Sequence, residues 1–271
     1  MKTVWIFILA FLLPCYGLYA YNDDNAVGGQ SAGIAKAAIN LTDVFSIFSN
    51  QAGLAGIQKL SVGLYSENRF LVEGLNTYAV GAALPTKSGT FGVGVTYFGD
   101  EALNHTRGSL SYGRYLGEKL SVGGQLDVVS LGTQNYGSAI AFTFGLGLQF
   151  QVLDNLNAGA HVYNPLQIKL TDAEEDNLPT ILRFGLDYAI SEKVNVVTEV
   201  EKNMEYDAIF KAGLNYCLIN QLSVRAGIST NPSMVYLGLG IKLKTIHIDA
   251  AVSYHNVLGY SPHISIIYRR D

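Results

Sequence analysis

The sequence predicts an all-β protein: a 14-stranded antiparallel transmembrane β-barrel of the outer-membrane type with a short amino-terminal plug-like segment. Three observations predict it. Hydrophobic residues make up 49% of the 271 residues and charged residues only 15%, against about 25% charge in an ordinary soluble domain. Glycine (29) and tyrosine (17) are abundant while proline (6) is scarce, which suits strands better than a helical bundle. Beyond residue 57, apolar residues alternate with small or polar ones in segment after segment. That period of two sets one strand face toward lipid and the other toward a lumen.

Residues 1–20 read as a secretory signal peptide: Lys2, an unbroken apolar run from Val4 to Leu13, and Ala20 at the cleavage point. The run is too short to span a membrane as a helix, which needs about 20 residues. Lipid attachment at Cys15 is disfavoured by the flanking Pro14 and Tyr16. Cleavage after Ala20 leaves Cys217 alone, so no intramolecular disulfide stabilises the mature chain.

Residues 21–57 form the plug-like segment. The run Gly28-Gly29-Gln30-Ser31-Ala32-Gly33-Ile34-Ala35 consists largely of small side chains and lets a backbone lie close to a wall. Asp43–Phe48 is predicted to be a short helix capped by Thr42 or Asp43. Asn50-Gln51-Ala52-Gly53-Leu54-Ala55 follows.

Residues 58–271 form the barrel. Expected strands cover 58–66, 70–84, 90–99, 104–115, 120–131, 138–152, 155–164, 180–190, 193–202, 208–218, 221–230, 233–243, 245–255 and 262–270. In the fifth, Leu120, Val122, Leu126 and Val128 oppose Ser121, Gly123, Gln125 and Asp127. Most spans reach the 9–11 residues of a tilted membrane strand, and the even count suits a bacterial outer-membrane barrel. Tight turns such as Leu153-Asp154 and Ser191-Glu192 alternate with longer loops, the longest at 165–179. Tyr97, Tyr188, Tyr254 and Tyr268 near strand ends fit aromatic girdles. A soluble β-sandwich would carry Lys and Glu on its polar face. Here that face is mostly Gly, Ser, Thr, Asn and Gln.

The amino-terminal motifs resemble those of the FadL/TodX-like outer-membrane barrels, especially the PorV/PorQ-like branch. Those proteins open with G-x-x-A-G-x-G-x-A and then N-P-A-x-L-A before the first strand. Gly28, Gly29, Ala32 and Gly33 fall in the first motif; Asn50, Ala52, Gly53 and Leu54 fall in the second. Gln51 replaces the proline, and Ala35-Lys36 replaces a second small pair. The resemblance implies one of two roles. FadL-like members pass hydrophobic molecules through a plugged barrel and sideways into the membrane. PorV-like members are membrane partners of the type IX secretion machinery. The strands leave little chain for elaborate outer loops that would capture a ligand. The expectation is therefore a non-enzymatic partner subunit of an envelope secretion or assembly complex, with a passive channel for small hydrophobic compounds as the alternative. A partner predicts a sealed lumen and an exposed apolar patch. A channel predicts an apolar pocket beside the plug and a break in the wall. Either role places the chain in the outer membrane of a Gram-negative bacterium, in contact with lipid.

The candidate lumen residues are charged. Arg183, Asp187, Glu199, Glu201, Lys211, Arg225, Lys242 and Asp249 fall on inward faces of neighbouring strands, where charge is tolerated. They read as cross-strand pairs or as plug contacts, with Arg183 and Arg225 the foremost candidates for gripping the plug. His247, His255 and His263 are spaced too far apart along strands to converge on a metal. The acidic run Asp172–Asp176 lacks the glycine and the spacing of a calcium loop. No nucleophile-elbow or dinucleotide motif is present, so no cofactor is expected. Ser253 and His255 raise the thought of a wall-mounted lipase, a lesser reading. A net charge of -4 offers no basic footprint for nucleic acid.

Overall fold

The structure is a computed structural model that describes residues 26–134, 137–169 and 178–270. The signal peptide and the acidic run of the long loop lie outside the described residues. Fourteen antiparallel strands close into one barrel: β1 Ser61–Asn68, β2 Asn76–Thr86, β3 Gly89–Gly99, β4 Leu103–Tyr115, β5 Leu120–Thr133, β6 Gly137–Leu153, β7 Leu156–Tyr163, β8 Ile181–Ala189, β9 Val194–Asn203, β10 Ile209–Ile219, β11 Leu222–Ser229, β12 Met234–Lys242, β13 Ile246–His255 and β14 Gly259–Arg269. Each strand pairs with its chain neighbours, and β1 pairs with β14 from Ser61↔Arg269 to Glu67↔His263.

The largest departure from the expected spans is at β2, which begins at Asn76 rather than at residue 70. Arg69–Leu71 form a 3-10 turn in which Phe70 and Leu71 adopt φ 58° and 56°. The Phe70 amide donates to Ser261 Oγ at 2.8 Å, which ties the turn to β14.

The strand alternation sorts side chains as the pattern demands. Leu64, Val93, Leu126, Phe142 and Leu237 point outward and are each more than half exposed, an apolar belt that water would penalise and lipid accepts. Tyr188 and Tyr268 ring the end that carries the short turns and both ends of the strand order. Tyr97 and Tyr254 ring the opposite, long-loop end.

The lumen is filled by residues 26–57, nearly all of them buried. This segment, the plug, supplies the apolar core of the molecule. Val27, Val44, Phe45, Ile47, Phe48 and Leu54 pack against Tyr65, Ala79, Ala83 and Ile267 of the wall.

The wall makes room with glycine. Inward glycines face one another across neighbouring strands: Gly63↔Gly81↔Gly94, Gly113↔Gly123↔Gly147, Gly159↔Gly185 and Gly213↔Gly227. A Cβ at Gly63 would lie 2.5 Å from Val44 Cγ1, one at Gly185 2.5 Å from Ile39 Cγ2, and one at Gly213 2.6 Å from Ile34 Cβ. No real Cβ tolerates such distances, so the plug lies directly on the backbone of the wall, with its side chains at Gly63 and Gly185 and with its own backbone at Gly123 and Gly227.

Filling this belt should unseat the plug. Gly213→Leu is expected to destabilise the folded barrel by about 1–3 kcal/mol, the usual cost of overpacking. Gly108→Leu, at a site with nothing within 4 Å of a new Cβ, should change little. The midpoint of heat-induced band shift in detergent electrophoresis measures both.

Candidate functional site

The site is the contact between plug and wall. It starts at α1 (Gly29–Gly33), a single turn with no large side chain. The Gly29 amide donates to Ser265 Oγ on β14 at 2.9 Å. Gly33 lies against Arg225 and Gly238, with its own virtual Cβ 3.1 Å from Arg225 Cβ. The chain then reverses through Ala35 and Lys36, at φ 60° and 57°. The reversal turns Lys36 Nζ to Glu67 Oε2 on β1 at 3.0 Å, while Lys211 Nζ donates to the Lys36 carbonyl at 3.5 Å. Further on, the Ile39 amide donates to Glu199 Oε2 at 2.9 Å, and Gln149 Nε2 donates to the Ile39 carbonyl at 3.0 Å.

The second half of the plug is two 3-10 turns. Asp43 caps Val44–Phe48, its Oδ1 accepting from the Phe45 amide at 2.7 Å while Ser46 Oγ accepts from the Asp43 amide. Asn50 caps Gln51–Gly56 through the Ala52 amide and donates to the Ile39 and Leu148 carbonyls. Ala52, Gly53 and Leu54 are buried in this turn. Gln51, in the motif's proline position, donates to the Ile47 carbonyl at 3.1 Å and to Gln125 Oε1 of β5. The departure from the motif thus replaces a ring with a side chain bonded to both plug and wall. Gly28 is left-handed at φ 110° with Phe45 against it, and Ala32 is fully buried.

Seven of the eight expected lumen charges lie in a buried or half-buried wall network. Lys211 Nζ sits 2.9 Å from Glu199 and 2.8 Å from Glu201, and Arg183 Nε is 2.8 Å from Glu201. Arg225 Nη1 is 2.6 Å from Asp249 Oδ1. Arg183 therefore holds the wall, and Arg225 supports Gly33 by packing. Asp187 accepts from Asn195 on its own wall at 3.2 Å. Lys242 is exposed at the short-turn end. Among the described residues, neither Asp187 nor Lys242 has a hydrogen bond or ion pair to the plug.

The sequence reading missed Glu67, Gln125, Gln149 and Ser265. Each has the inward parity of its strand, which was the available signal. It also missed Asn164, fully buried at the rim with φ 49°. Asn164 accepts from the Ile168 amide and from Thr143 Oγ1, and donates to the Leu178 carbonyl at 2.8 Å. It clamps both described limbs of the long loop, so that Ile168 and Leu178 pack inside the mouth against Val129 and Ala141.

Ser253 pairs with His263 rather than His255, its Oγ 3.0 Å from Nε2. His263 Nδ1 meets the Tyr65 hydroxyl at 2.9 Å, and that hydroxyl donates to Glu67 Oε2. This chain ends on the carboxylate that holds Lys36, so it fixes the wall side of the plug contact. His255 instead accepts from the Val257 and Leu258 amides in an exposed turn.

Space remains in two kinds of place. A cavity of about 220 Å³ above the plug is lined by Lys36, Glu67, Arg69, Glu201, Lys211 and Ser253 among others. The apolar concavities lie on the outer wall, the larger about 860 Å³ between β7 and β12 beside Phe184, Phe210, Ile228 and Val235. Among the described residues, every pair of neighbouring strands is hydrogen-bonded, so the break in the wall expected of a channel is not seen there.

No protein-family description matches the sequence, and no curated protein does. Solved structures do match. The toluene transporter TbuX of Ralstonia pickettii superposes with a TM-score of 0.73 at 14% identity, over 92% of this chain and 100% of that one. The monoaromatic hydrocarbon channel CymD gives 0.70 at 14% identity, over 92% and 99%. A FadL homologue of Pseudomonas aeruginosa gives 0.64 at 12% identity, over 90% and 98%. The FadL/TodX-like resemblance therefore stands as a fold. The PorV/PorQ-like branch finds no support, and the expected secretion or assembly partner is overturned by the likeness to a monoaromatic hydrocarbon channel and a toluene transporter. A protein partner likewise finds no support.

Two tests follow from the network. Lys211→Met leaves Glu199 and Glu201 short of a cation, and removing one partner of a buried pair costs about 3–5 kcal/mol. The heat-shift midpoint should fall well below that of Lys242→Met. Burial pushes the Asp43 carboxyl up to about 6 against the opposing Phe45 N–H bond, and the charge of Asp249 adds to the rise. The seated plug thus holds that proton more tightly than the free one. The stabilisation is full below the ordinary aspartate value and is lost as pH rises through about 6. Asp43→Asn should flatten that part of the midpoint's pH dependence.

Proposed function

We propose that the chain is a passive channel for small hydrophobic compounds in the outer membrane of a Gram-negative bacterium, exported by a signal peptide at residues 1–20. The observation that carries this reading is the extent of the likeness: the fold spans 99–100% of a monoaromatic hydrocarbon channel and a toluene transporter. The outward apolar belt and the aromatic girdles support a membrane setting.

A plug seated by charge and apolar packing supports reading this conformation as the closed end of a gating cycle. Residues 26–57 occupy most of the lumen among the described residues, so on this reading passage requires the plug to shift. The apolar turn Val44–Phe48 is held by contacts that are individually weak. Lys36–Glu67 is a compact polar contact facing the open cavity. Separating it frees the reversal at Ala35-Lys36 without disturbing the barrel ladder.

The test is uptake of labelled toluene by cells whose own hydrocarbon channels are deleted. Expression of the chain should raise the initial rate several-fold, and Lys36→Ala should raise it further. A rate equal to that of empty-vector cells, with the barrel present and folded in the envelope, would overturn the reading.

A further inference from the structure

The two ends of the barrel carry opposite charge. At the short-turn end, Lys87 sits in the β2–β3 turn, Arg114 and Lys119 flank the β4–β5 turn, and Lys193 lies in the β8–β9 turn, all exposed. Lys242 and Lys244 add to them at the β12–β13 turn, while Lys59 precedes β1 and Arg270 follows β14, again exposed. Against these eight bases stand three exposed acids among the described residues, Glu118, Asp154 and Glu192. At the opposite end the sign reverses. Glu73, Asp100, Glu101, Glu205 and Asp207 are exposed there, against the exposed Lys169, among the described residues. The whole chain has a net charge of -4, so the positive rim is a local arrangement and not a consequence of composition.

The rim also lies at a defined depth. Outward aromatics Tyr115, Phe150, Tyr188, Tyr216 and Tyr268 end the apolar belt on this side, each at least 40% exposed. Such rings mark the level of lipid headgroups. Bases just beyond them extend long stems along the belt and hold their charges at the depth of the headgroup phosphates.

We propose that this rim binds a surface of anionic phospholipid headgroups, which anchors and orients the barrel in the leaflet at its short-turn end. The distribution favours a leaflet over an acidic protein. The bases occupy four of the six turns and the positions flanking β1 and β14, and so encircle the barrel. A docked protein would need them in one sector. A planar leaflet meets all of them, each adding an attraction that salt weakens. The acidic opposite end would be repelled by the same surface, so charge distinguishes the two insertions.

The inference rests on the transmembrane fold and not on the channel reading. The experiment reconstitutes the full mature chain in phosphatidylcholine nanodiscs containing a minority of phosphatidylglycerol. Native mass spectrometry then counts the lipids that remain bound after release. At low salt, phosphatidylglycerol should be enriched several-fold over its bulk share, with the enrichment lost at high salt. The variant Lys119→Gln/Lys193→Gln/Lys244→Gln/Arg270→Gln should retain lipid at the bulk ratio, while Glu101→Gln/Glu205→Gln should behave as the unaltered chain. Bulk-ratio retention by the unaltered chain, or undiminished enrichment in the neutralised rim, overturns the proposal and leaves an acidic soluble partner as the reading of the rim. Insertion of the folded barrel in both cases keeps that failure separate from a failure of the membrane assignment.

Discussion

The rest of this structure depends on one contact: residues 26–57 lying directly on a belt of inward glycines. A fourteen-strand wall encloses more volume than inward side chains of ordinary length would fill. This chain fills it with a segment of its own. The close approach buries Ile34, Ile39, Val44, Phe45, Ile47, Phe48 and Leu54 inside the barrel, which gives the molecule the apolar core that its outward-facing belt cannot supply.

The charges of the lumen follow from the same contact. A polar wall facing a nearly dry plug must satisfy itself, because a buried charge without a partner is costly. Lys211, Glu199, Glu201 and Arg183 do so within β8–β10, and Arg225 with Asp249 across β11–β13. Other polar groups are turned to the plug itself, among them Glu199 toward the Ile39 amide, Gln149 toward the Ile39 carbonyl, Gln125 toward Gln51, Ser265 toward Gly29, and Glu67 toward Lys36. The wall is thus rigid by its own pairs, whereas the plug is held by apolar packing and a handful of polar contacts. That asymmetry lets a plug move while a barrel stays closed on itself.

Much of this was legible in sequence. Strict alternation over fourteen segments gave strand number and facing, since a slip of one residue would turn a strand's apolar face inward. The start of β2 was not legible, because Phe70 and Leu71 are apolar and continue the pattern while their backbone turns left-handed. The glycines were counted, but their pairing across seams depends on register, which single strands do not reveal. Arg183 was placed on the correct face, with a cross-strand pair and a plug contact both open. Facing follows from parity, whereas reach follows from which neighbour stands opposite, here Glu201. The short motifs pointed to a plug but did not separate a channel from a secretion partner, because small residues meet the same packing demand in both. The likeness of the whole fold to a monoaromatic hydrocarbon channel and a toluene transporter favours the first as a proposal.

The central claim is that the plug seals the barrel and must leave its seat for anything to pass. Gly29 and Ser265 offer a way to fix it, since a Cβ on Gly29 would stand 2.8 Å from Ser265 Oγ; the same Cβ meets the Asp249 carbonyl at 2.7 Å, so Gly29→Cys alone serves as the control for a displaced plug. In a Cys217→Ser background, Gly29→Cys with Ser265→Cys should form a disulfide between plug and β14. The measurement is toluene uptake by cells carrying this variant, oxidised and then reduced. The account predicts uptake near background when the disulfide is closed and recovery on reduction. Uptake that is undiminished with the disulfide quantitatively formed would contradict it.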